Sequence, residues 1–415
     1  MRDYHLIISL SERLSFNNFP FNFLYGFDNN QYTSPNQYIT IWKYLIYNAV
    51  CKMMANNEGL PRMLLDVLRK IYSQEPIKVL KRAVSKWTAS DFGIEFLGCG
   101  LKIEGGSKEG ENLTWIKKVN IFEDIIGEYG KDGTSYYILI DELDEDYRDF
   151  ENETQKRTYI NLLTSLFKAV QDIRACFKDT SVNIRPIIFL RSDIYSIIKD
   201  PDKNKWGEYI VNLSWTPESL YKMLCHRLFV STDRSIPKEK VWSVIFPQPY
   251  VFMGNCGRKK MKTFQYMTRS TQWRPRDYIH YIAECGKLSI AKDESVVSSV
   301  TVKEVDREFS EYLKREIIDE IFAVLPCIDQ VFNTISQIRK QTFSPQEFLA
   351  AYKNCGKTEE EGKFVLTQLF EYGVIGNQPA MRNQQIFKYQ YPNTLFNFEE
   401  NMIIHRGLYK ALQIF

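Results

Sequence analysis

The chain has 415 residues and a mass of 48.9 kDa, with 54 basic and 51 acidic side chains that leave a formal net charge of +3. Its 44% of hydrophobic and 25% of charged residues are typical of a globular protein and exclude wholesale disorder. The near-neutral charge excludes a uniformly basic surface for binding nucleic acid, but it does not exclude a local basic patch. No apolar run approaches the roughly 20 residues of a membrane helix, and the eight cysteines form no Cys-x-x-Cys pair, so we expect a cytoplasmic protein with reduced thiols and no membrane partner.

The first third of the chain combines short strands with helices. Residues 4–10 are a short apolar run, which predicts a buried strand. Helical spacing of apolar side chains predicts helices over residues 37–57 and 113–129. Between them, residues 93–103 alternate apolar and polar side chains around glycines, which is typical of a hairpin or of an insertion at a sheet edge.

The centre of the chain carries two continuous apolar strands on either side of a helix. Residues 136–140 and 186–190 are the strands, and residues 154–177 have the periodicity of an amphipathic helix. Such runs are typical of a parallel sheet covered by helices on both faces. Residues 209–213 predict a third short strand.

The first of these central strands runs directly into Asp141 and Glu142. An apolar strand that ends in Asp-Glu is similar to the Walker B motif, in which one carboxylate binds Mg²⁺ and the other orients the attacking water. The carboxyl ends of parallel strands are also where α/β sheets bind ligands. We expect Asp141 to be the metal ligand and Glu142 the catalytic carboxylate; an acidic loop after a buried strand is the alternative.

Three arginines are candidates for contact with a nucleotide phosphate. Arg191 follows the second central strand, where a planar guanidinium suits phosphate sensing, although an ion pair with Asp193 would explain it equally. Arg274 and Arg276 lie at the start of a predicted helix and are candidate cofactor-binding residues of a helical lid. Their alternative is a solvated surface or a contact with a partner.

The glycine-rich Walker A loop of P-loop ATPases, Gly-x-x-x-x-Gly-Lys-Ser/Thr, is absent from the sequence. Residues 100–107 have the glycine spacing without the lysine, and the basic stretch 254–260 lies in a predicted helical region. Because the predicted first strand lies at the start of the sequence, we expect the loop either upstream of Met1 or lost, with an exposed sheet edge as the consequence.

The second half of the chain is mostly helical and ends in a winged-helix pattern. Helix–turn–helix followed by two short β-like runs is the basis of that prediction, and the second helix of the pair is acidic, which favours a protein contact over DNA reading. The predicted helices are 217–229, 238–244, 275–290 and 302–335, and the winged-helix elements are 344–352, 358–372, 374–376 and 386–391.

Two further features carry their own alternatives. Arg258, Lys259, Lys260 and Lys262 form a basic cluster that could contact phosphates, with a solvated loop as the alternative. His405 lies before a glycine near the end of the chain, where a capping or packing role is favoured over catalysis.

Taken together, the chain resembles bacterial P-loop ATPases of the AAA/STAND-like, defence-associated kind. The resemblance rests on the segments YYILIDELDEDY, IIFLRSDIY, WTPESLYKMLCHRL, WRPRDYIHYI and FNFEENMIIHRGLYKAL, in that order. It implies an α/β fold with a P-loop-type parallel-sheet core that is incomplete at its N-terminus, over residues 1–215, a helical lid over 216–310 and a winged helix over 311–415.

The resemblance also implies a function. It implies an ATP-driven switch, as in anti-phage defence or mobile-element biology, that uses ATP and Mg²⁺ if a P-loop is supplied from outside this chain. Asp141 and Glu142 would be the Mg²⁺ and water carboxylates, Arg191 a sensor, and Arg274 and Arg276 lid arginines. The implied partners are a second copy of the chain or an effector protein, with DNA less well supported. A non-hydrolysing scaffold that regulates through protein or DNA binding is the alternative.

Overall fold

A computed structural model of the chain describes residues 8–16, 38–56, 62, 115–130, 133–144, 153–254, 257–322, 324–379 and 384–414. The chain divides into two compact units, Met1–Ile210 and Val211–Phe415. The predicted boundary at 215/216 lies close to this division. The predicted hairpin at 93–103 lies outside the described residues.

The first unit is built on a parallel sheet of three strands in the order β1-β2-β3. These are β1 (Ile8–Ser15), β2 (Thr134–Asp141) and β3 (Asn183–Ile188). Ser15 lies opposite Asp141 in the register of β1 with β2. The two central apolar runs are therefore parallel neighbours, as the sequence predicted.

Strand β1 shares residues 8–10 with the expected strand at 4–10 and continues beyond it to Ser15. Residues 4–7 lie outside the described part of the chain. The segment ISLSERLS alternates in exposure, because Leu14 is buried whereas Ser11 and Arg13 are exposed. One face of the described strand packs and the other does not, which accounts for the alternation.

Three helices share a core with the sheet: α1 (Ile39–Ala55), α2 (Trp115–Tyr129) and α3 (Glu153–Cys176). Helix α1 contacts both other helices and strands β1 and β2. Its Trp42 indole donates a hydrogen bond of 3.1 Å to the carbonyl oxygen of Leu162 in α3. This buried bond fixes the two helices against each other.

Only one face of the sheet shares a core with these helices among the described residues. Ile138 and Ile140 of β2 belong to that core. On the other face, Arg13, Leu139 and Ile187 form a row across the three strands, and the side chain of Ile187 is 38% exposed. The sequence had predicted helices on both faces.

After β3 the first unit ends in short helices, α4 (Ser192–Ile197) and α5 (Lys203–Trp206), and a 3₁₀ turn at Gly207–Tyr209. The predicted strand at 209–213 is wrong, because this segment pairs with no strand in the described part of the chain. Its apolar side chains gain no sheet partner there, and Val211 is 80% exposed.

The second unit begins with helices and one hairpin. These elements are α6 (Pro217–Ser231), α7 (Val241–Ile245), β4 (Tyr250–Met253), β5 (Lys259–Lys262), α8 (Thr263–Thr268), α9 (Pro275–Ala291), α10 (Ser299–Glu304) and α11 (Asp306–Ile321). The predicted helix 302–335 is interrupted, because Pro326 cannot continue a helix and restricts the residue before it. The predicted boundary at 310/311 falls within α11.

The chain ends in three helices and a small antiparallel sheet. The elements are α12 (Ile328–Ile338), β6 (Thr342–Phe343), α13 (Pro345–Asn354), α14 (Glu359–Glu371), β7 (Ile375–Gln378) and β8 (Asn401–Ile404). The strand order is β6-β8-β7. Ser344 and Thr358 cap α13 and α14 with complete capping boxes. The strand predicted at 386–391 is reduced to one bridge, between Asn377 and Ile386. No helix in the described residues has the length and hydropathy to cross a membrane.

Candidate functional site

The carboxyl ends of β1 and β2 bring two predicted carboxylates together with an arginine. Strand β2 ends at Asp141, and Glu142 begins the turn that follows. The amide of Phe16 donates to the carbonyl of Asp141 at 3.2 Å, which continues the strand ladder to this edge. Arg13 and Ser15 of β1 therefore lie beside the Asp-Glu pair.

The Arg13 guanidinium binds both carboxylates. Its Nη2 lies 3.0 Å from Oδ2 of Asp141 and 3.1 Å from Oε1 of Glu142. The hydroxyl of Ser15 donates to the other carboxylate oxygen of Glu142. Because the Arg13 side chain is 56% exposed, solvent screens these ion pairs and each contributes little to stability. Their consequence is that the single positive charge of Arg13 offsets part of the negative charge of the two acids.

Glu142 has a left-handed backbone conformation, with φ of 63°. This region costs a non-glycine residue roughly 1–2 kcal/mol, so packing must hold it in place. The next residue, Leu143, is buried, and its carbonyl accepts a 2.8 Å hydrogen bond from the hydroxyl of Tyr159 in α3. This hydrogen bond to α3 holds the turn in place. The turn directs the Glu142 carboxylate towards Arg13 and Ser15.

Arg191 lies between the end of β3, the strand next to β2 in the sheet, and the start of α4. It forms a bidentate pair with Asp193, at 3.1 and 2.7 Å. A second carboxylate, Asp144, lies 3.9 Å from its Nη1. The ion-pair alternative for Arg191 therefore describes its arrangement in this structure, and its role as a phosphate sensor stays a prediction.

The donor set at this edge suits a hard cation in part. Carboxylate and hydroxyl oxygens of Asp141, Glu142 and Ser15 are the ligand type that Mg²⁺ prefers, and Mg²⁺ sites need only one or two carboxylates beside water and phosphate oxygens. The two carboxyl side chains are 38% and 33% exposed, so solvent reaches them. No set of three His, Cys, Asp or Glu residues able to hold a metal is found in the described part of the chain.

Arg274 and Arg276 lie in the second unit. Arg274 precedes α9 and pairs with Glu320 at 2.6 Å, whereas Arg276 pairs with Glu316 at 3.0 Å. Both glutamates belong to α11, so these pairs connect the start of α9 to a neighbouring helix. Each predicted lid arginine therefore has a carboxylate partner within its own unit.

The same segment contains a buried polar cluster that the sequence did not reveal. Asp277 is 2% exposed and accepts a 2.9 Å hydrogen bond from the amide of Gln272. The Gln272 side chain donates to the carbonyls of Tyr372 and Gly373, at 3.0 and 3.1 Å. Burial raises the pKa of Asp277 to about 6, against the lowering effect of the Gln272 amide. This cluster connects the start of α9 to the end of α14.

His405 is buried in the same unit. Its Nδ1 accepts a 3.2 Å hydrogen bond from the amide of Gly407, which confirms the predicted capping role, and its Nε2 lies 3.1 Å from the hydroxyl of Tyr389. Burial lowers the pKa of His405 to about 4, so the ring is neutral at physiological pH. A neutral, fully partnered histidine fits packing rather than catalysis.

Arg13, Ser15 and Asp144 belong to the carboxyl edge, although the sequence did not predict them there. A signal for the first two was present, because ISLSERLS has the alternation of a half-buried strand. A strand shifted to this segment would have placed both side chains beside Asp141.

The comparisons with known proteins concern the second unit. Residues 218–318 match the family model of the FunZ-associated C-terminal helical domain. The match runs from the start of α6 into α11 and covers less than half of the chain. No curated protein matches the chain.

Proposed function

We propose that the first unit is a P-loop-ATPase-type core whose carboxyl edge binds Mg²⁺ and ATP. The observation that carries the proposal is the meeting of Asp141, Glu142 and Arg13 where two parallel strands end. Ligands of open α/β sheets bind at this edge. The strained turn at Glu142 is a second support, because backbone strain of this kind concentrates at functional sites.

Each side chain at the edge has a distinct part in this proposal. Asp141 would hold the cation, which when bound supplies charge neutralisation to the phosphates. Glu142, oriented by Ser15, would position water, and Arg191 would exchange its Asp193 partner for a phosphate. Arg13 must release both carboxylates before a cation can enter. The P-loop that would hold the phosphates is not in this sequence, so nucleotide binding by this chain alone would rest on the cation at Asp141 and on Arg191.

The second unit would transmit the nucleotide state. The order helix, strand, helix, helix, strand, strand over residues 328–404, with β8 between β6 and β7, supports a winged helix. Its α14 begins with Glu359, Glu360 and Glu361, which suits a protein partner better than a DNA groove. A switch of this design would act on a second copy of the chain or on an effector protein, as in phage defence or mobile-element biology.

The proposal predicts nucleotide binding that depends on Mg²⁺ and on Asp141. A fluorescent ATP analogue titrated into the purified chain should bind more tightly with Mg²⁺ than with EDTA. Asp141→Asn should remove this difference, because it takes away the metal ligand. Glu142→Gln should keep binding and abolish any hydrolysis that the wild-type chain shows. Glu153→Gln, at a 91% exposed side chain of α3, is the control and should behave as wild type.

A second function is favoured by two observations. The 415 residues contain no Walker A motif, and Arg13 occupies both carboxylates at the edge. Both suit a scaffold that regulates through protein or DNA contacts without hydrolysing ATP. Equal affinity of wild type and Asp141→Asn for the nucleotide, with or without Mg²⁺, would contradict the ATPase proposal and favour this one.

A further inference from the structure

The hairpin of β4 and β5 presents a face on which two aromatic side chains of β4 lie opposite two lysines of β5. The antiparallel register places Tyr250 opposite Lys262 and Phe252 opposite Lys260. Since side chains alternate along a strand, these four lie on the same face. The ammonium of Lys260 lies 4.8 Å from the ring centre of Tyr250, so the aromatic and basic groups are interleaved on one surface.

This face points to solvent because the other face of the hairpin is part of the core. Val251 is 1% exposed and belongs to the core of the second unit, and Met261, opposite it, packs against that core. On the outward face Phe252 is 55% exposed. The Phe252 ring is therefore accessible to a binding partner beside the lysines of β5.

Four cations are concentrated in this hairpin. Arg258, Lys259, Lys260 and Lys262 are all exposed. Within the described ranges, the ion pairs of the protein include none of them, whereas Arg269, Arg274 and Arg276 of the same unit each have a carboxylate partner. In a chain with a net charge of only +3, this is a local positive field rather than a general property.

We propose that the outward face of this hairpin binds single-stranded nucleic acid. Lys260 and Lys262 would contact phosphates, and Phe252 would stack on an unpaired base, the combination by which single strands are bound without sequence preference. A duplex hides its base faces in its own stack, so it would use the lysines but not Phe252. The site is independent of the nucleotide site proposed for the first unit.

Fluorescence anisotropy with labelled 20-nucleotide oligothymidylate and oligouridylate tests the proposal on the full chain. We expect binding in roughly the micromolar range at low salt, which weakens as salt rises. Lys260→Glu with Lys262→Glu should weaken binding at least tenfold. The control, Lys222→Glu with Lys410→Glu, exchanges two exposed lysines elsewhere in the unit and should change the affinity less than twofold.

Phe252→Ala separates stacking from charge. We expect it to weaken binding of oligothymidylate about fivefold and to leave binding of an abasic oligonucleotide of equal length unchanged. The proposal is overturned if neither oligonucleotide binds, if the control pair matters as much as the hairpin pair, or if a duplex binds as tightly as a single strand. Binding to vesicles with 30% phosphatidylserine, without binding to oligonucleotides, would instead identify a membrane surface.

Discussion

Gly407→Ala is expected to lower the melting temperature of the second unit by about 6–12 °C. A Cβ atom at this position would lie 2.2 Å from the carbonyl oxygen of Ser270 and 2.5 Å from Cδ2 of Leu313. The Leu313 side chain can shift, but the carbonyl oxygen of Ser270 belongs to the backbone of a buried segment and cannot easily move. Overpacking of this kind costs about 3 kcal/mol, and for a unit of this size each kcal/mol shifts the midpoint by roughly 2–4 °C.

Gly286→Ala provides the matched control. Gly286 lies inside α9, and a Cβ atom there would meet nothing within 4 Å. Alanine in a helix interior should therefore stabilise the unit by roughly 0.5–1 kcal/mol. Differential scanning calorimetry of the full chain measures both variants. A shift of less than 2 °C for Gly407→Ala would show that the segment around Ser270 is not packed as described.

The second large effect concerns pH, where Asp277 and His405 should act in opposite directions. Burial lowers the pKa of His405 from 6.5 to about 4. As the pH falls through this interval, the unfolded chain takes up a proton that the folded chain does not. The contribution of His405 to the stability of the folded chain is therefore present above pH 6.5 and is lost as the pH falls to 4. A shift of this size corresponds to about 3 kcal/mol.

Asp277 has the reverse sign, because burial raises its pKa from 3.8 to about 6. The folded chain takes up this proton first as the pH falls. Its contribution to stability is present below pH 3.8 and is lost as the pH rises through 6, and it is again about 3 kcal/mol. Between pH 4 and 6 the two groups nearly offset each other in the wild-type chain.

Single substitutions should expose the two opposing contributions. Relative to wild type, Asp277→Asn should lose about 3 kcal/mol of unfolding free energy between pH 6.5 and 4, because only the His405 contribution remains. His405→Asn should gain a similar amount over the same interval. Urea unfolding of the three proteins at pH 6.5, 5.5 and 4 measures these differences. Parallel pH dependences for all three would contradict the assignment of either pKa shift.

The elements that the sequence predicted well are those with a local signal. Strand β2 contains the whole predicted apolar run at 136–140, whereas β3 contains only residues 186–188 of the run predicted at 186–190. Helices α13 and α14 begin after Ser344 and Thr358, each with a glutamate three residues later. Asp141 and Glu142 were found for the same reason, since they directly follow such a run. In each case the residues that decide the structure are close together in the chain.

The features that the sequence did not predict depend on distant contacts. Arg13 reaches Asp141 across 128 residues, through a parallel pairing that no local pattern specifies. Gln272 meets Gly373 across 101 residues, so the buried cluster of the second unit was equally hidden. The strand predicted at 209–213 failed for the complementary reason, because strand-forming residues without a neighbouring edge do not form a sheet.

The central claim is that Asp141 and Glu142 bind a cation and that Arg13 competes with the cation for these carboxylates. Cation binding tests this claim most directly. Electron paramagnetic resonance can measure the affinity of the full chain for Mn²⁺ alone. Arg13→Gln should bind Mn²⁺ about tenfold more tightly than wild type, because the competing guanidinium is removed, and Asp141→Asn should bind it at least tenfold more weakly. Identical Mn²⁺ affinities for wild type, Arg13→Gln and Asp141→Asn would contradict the account.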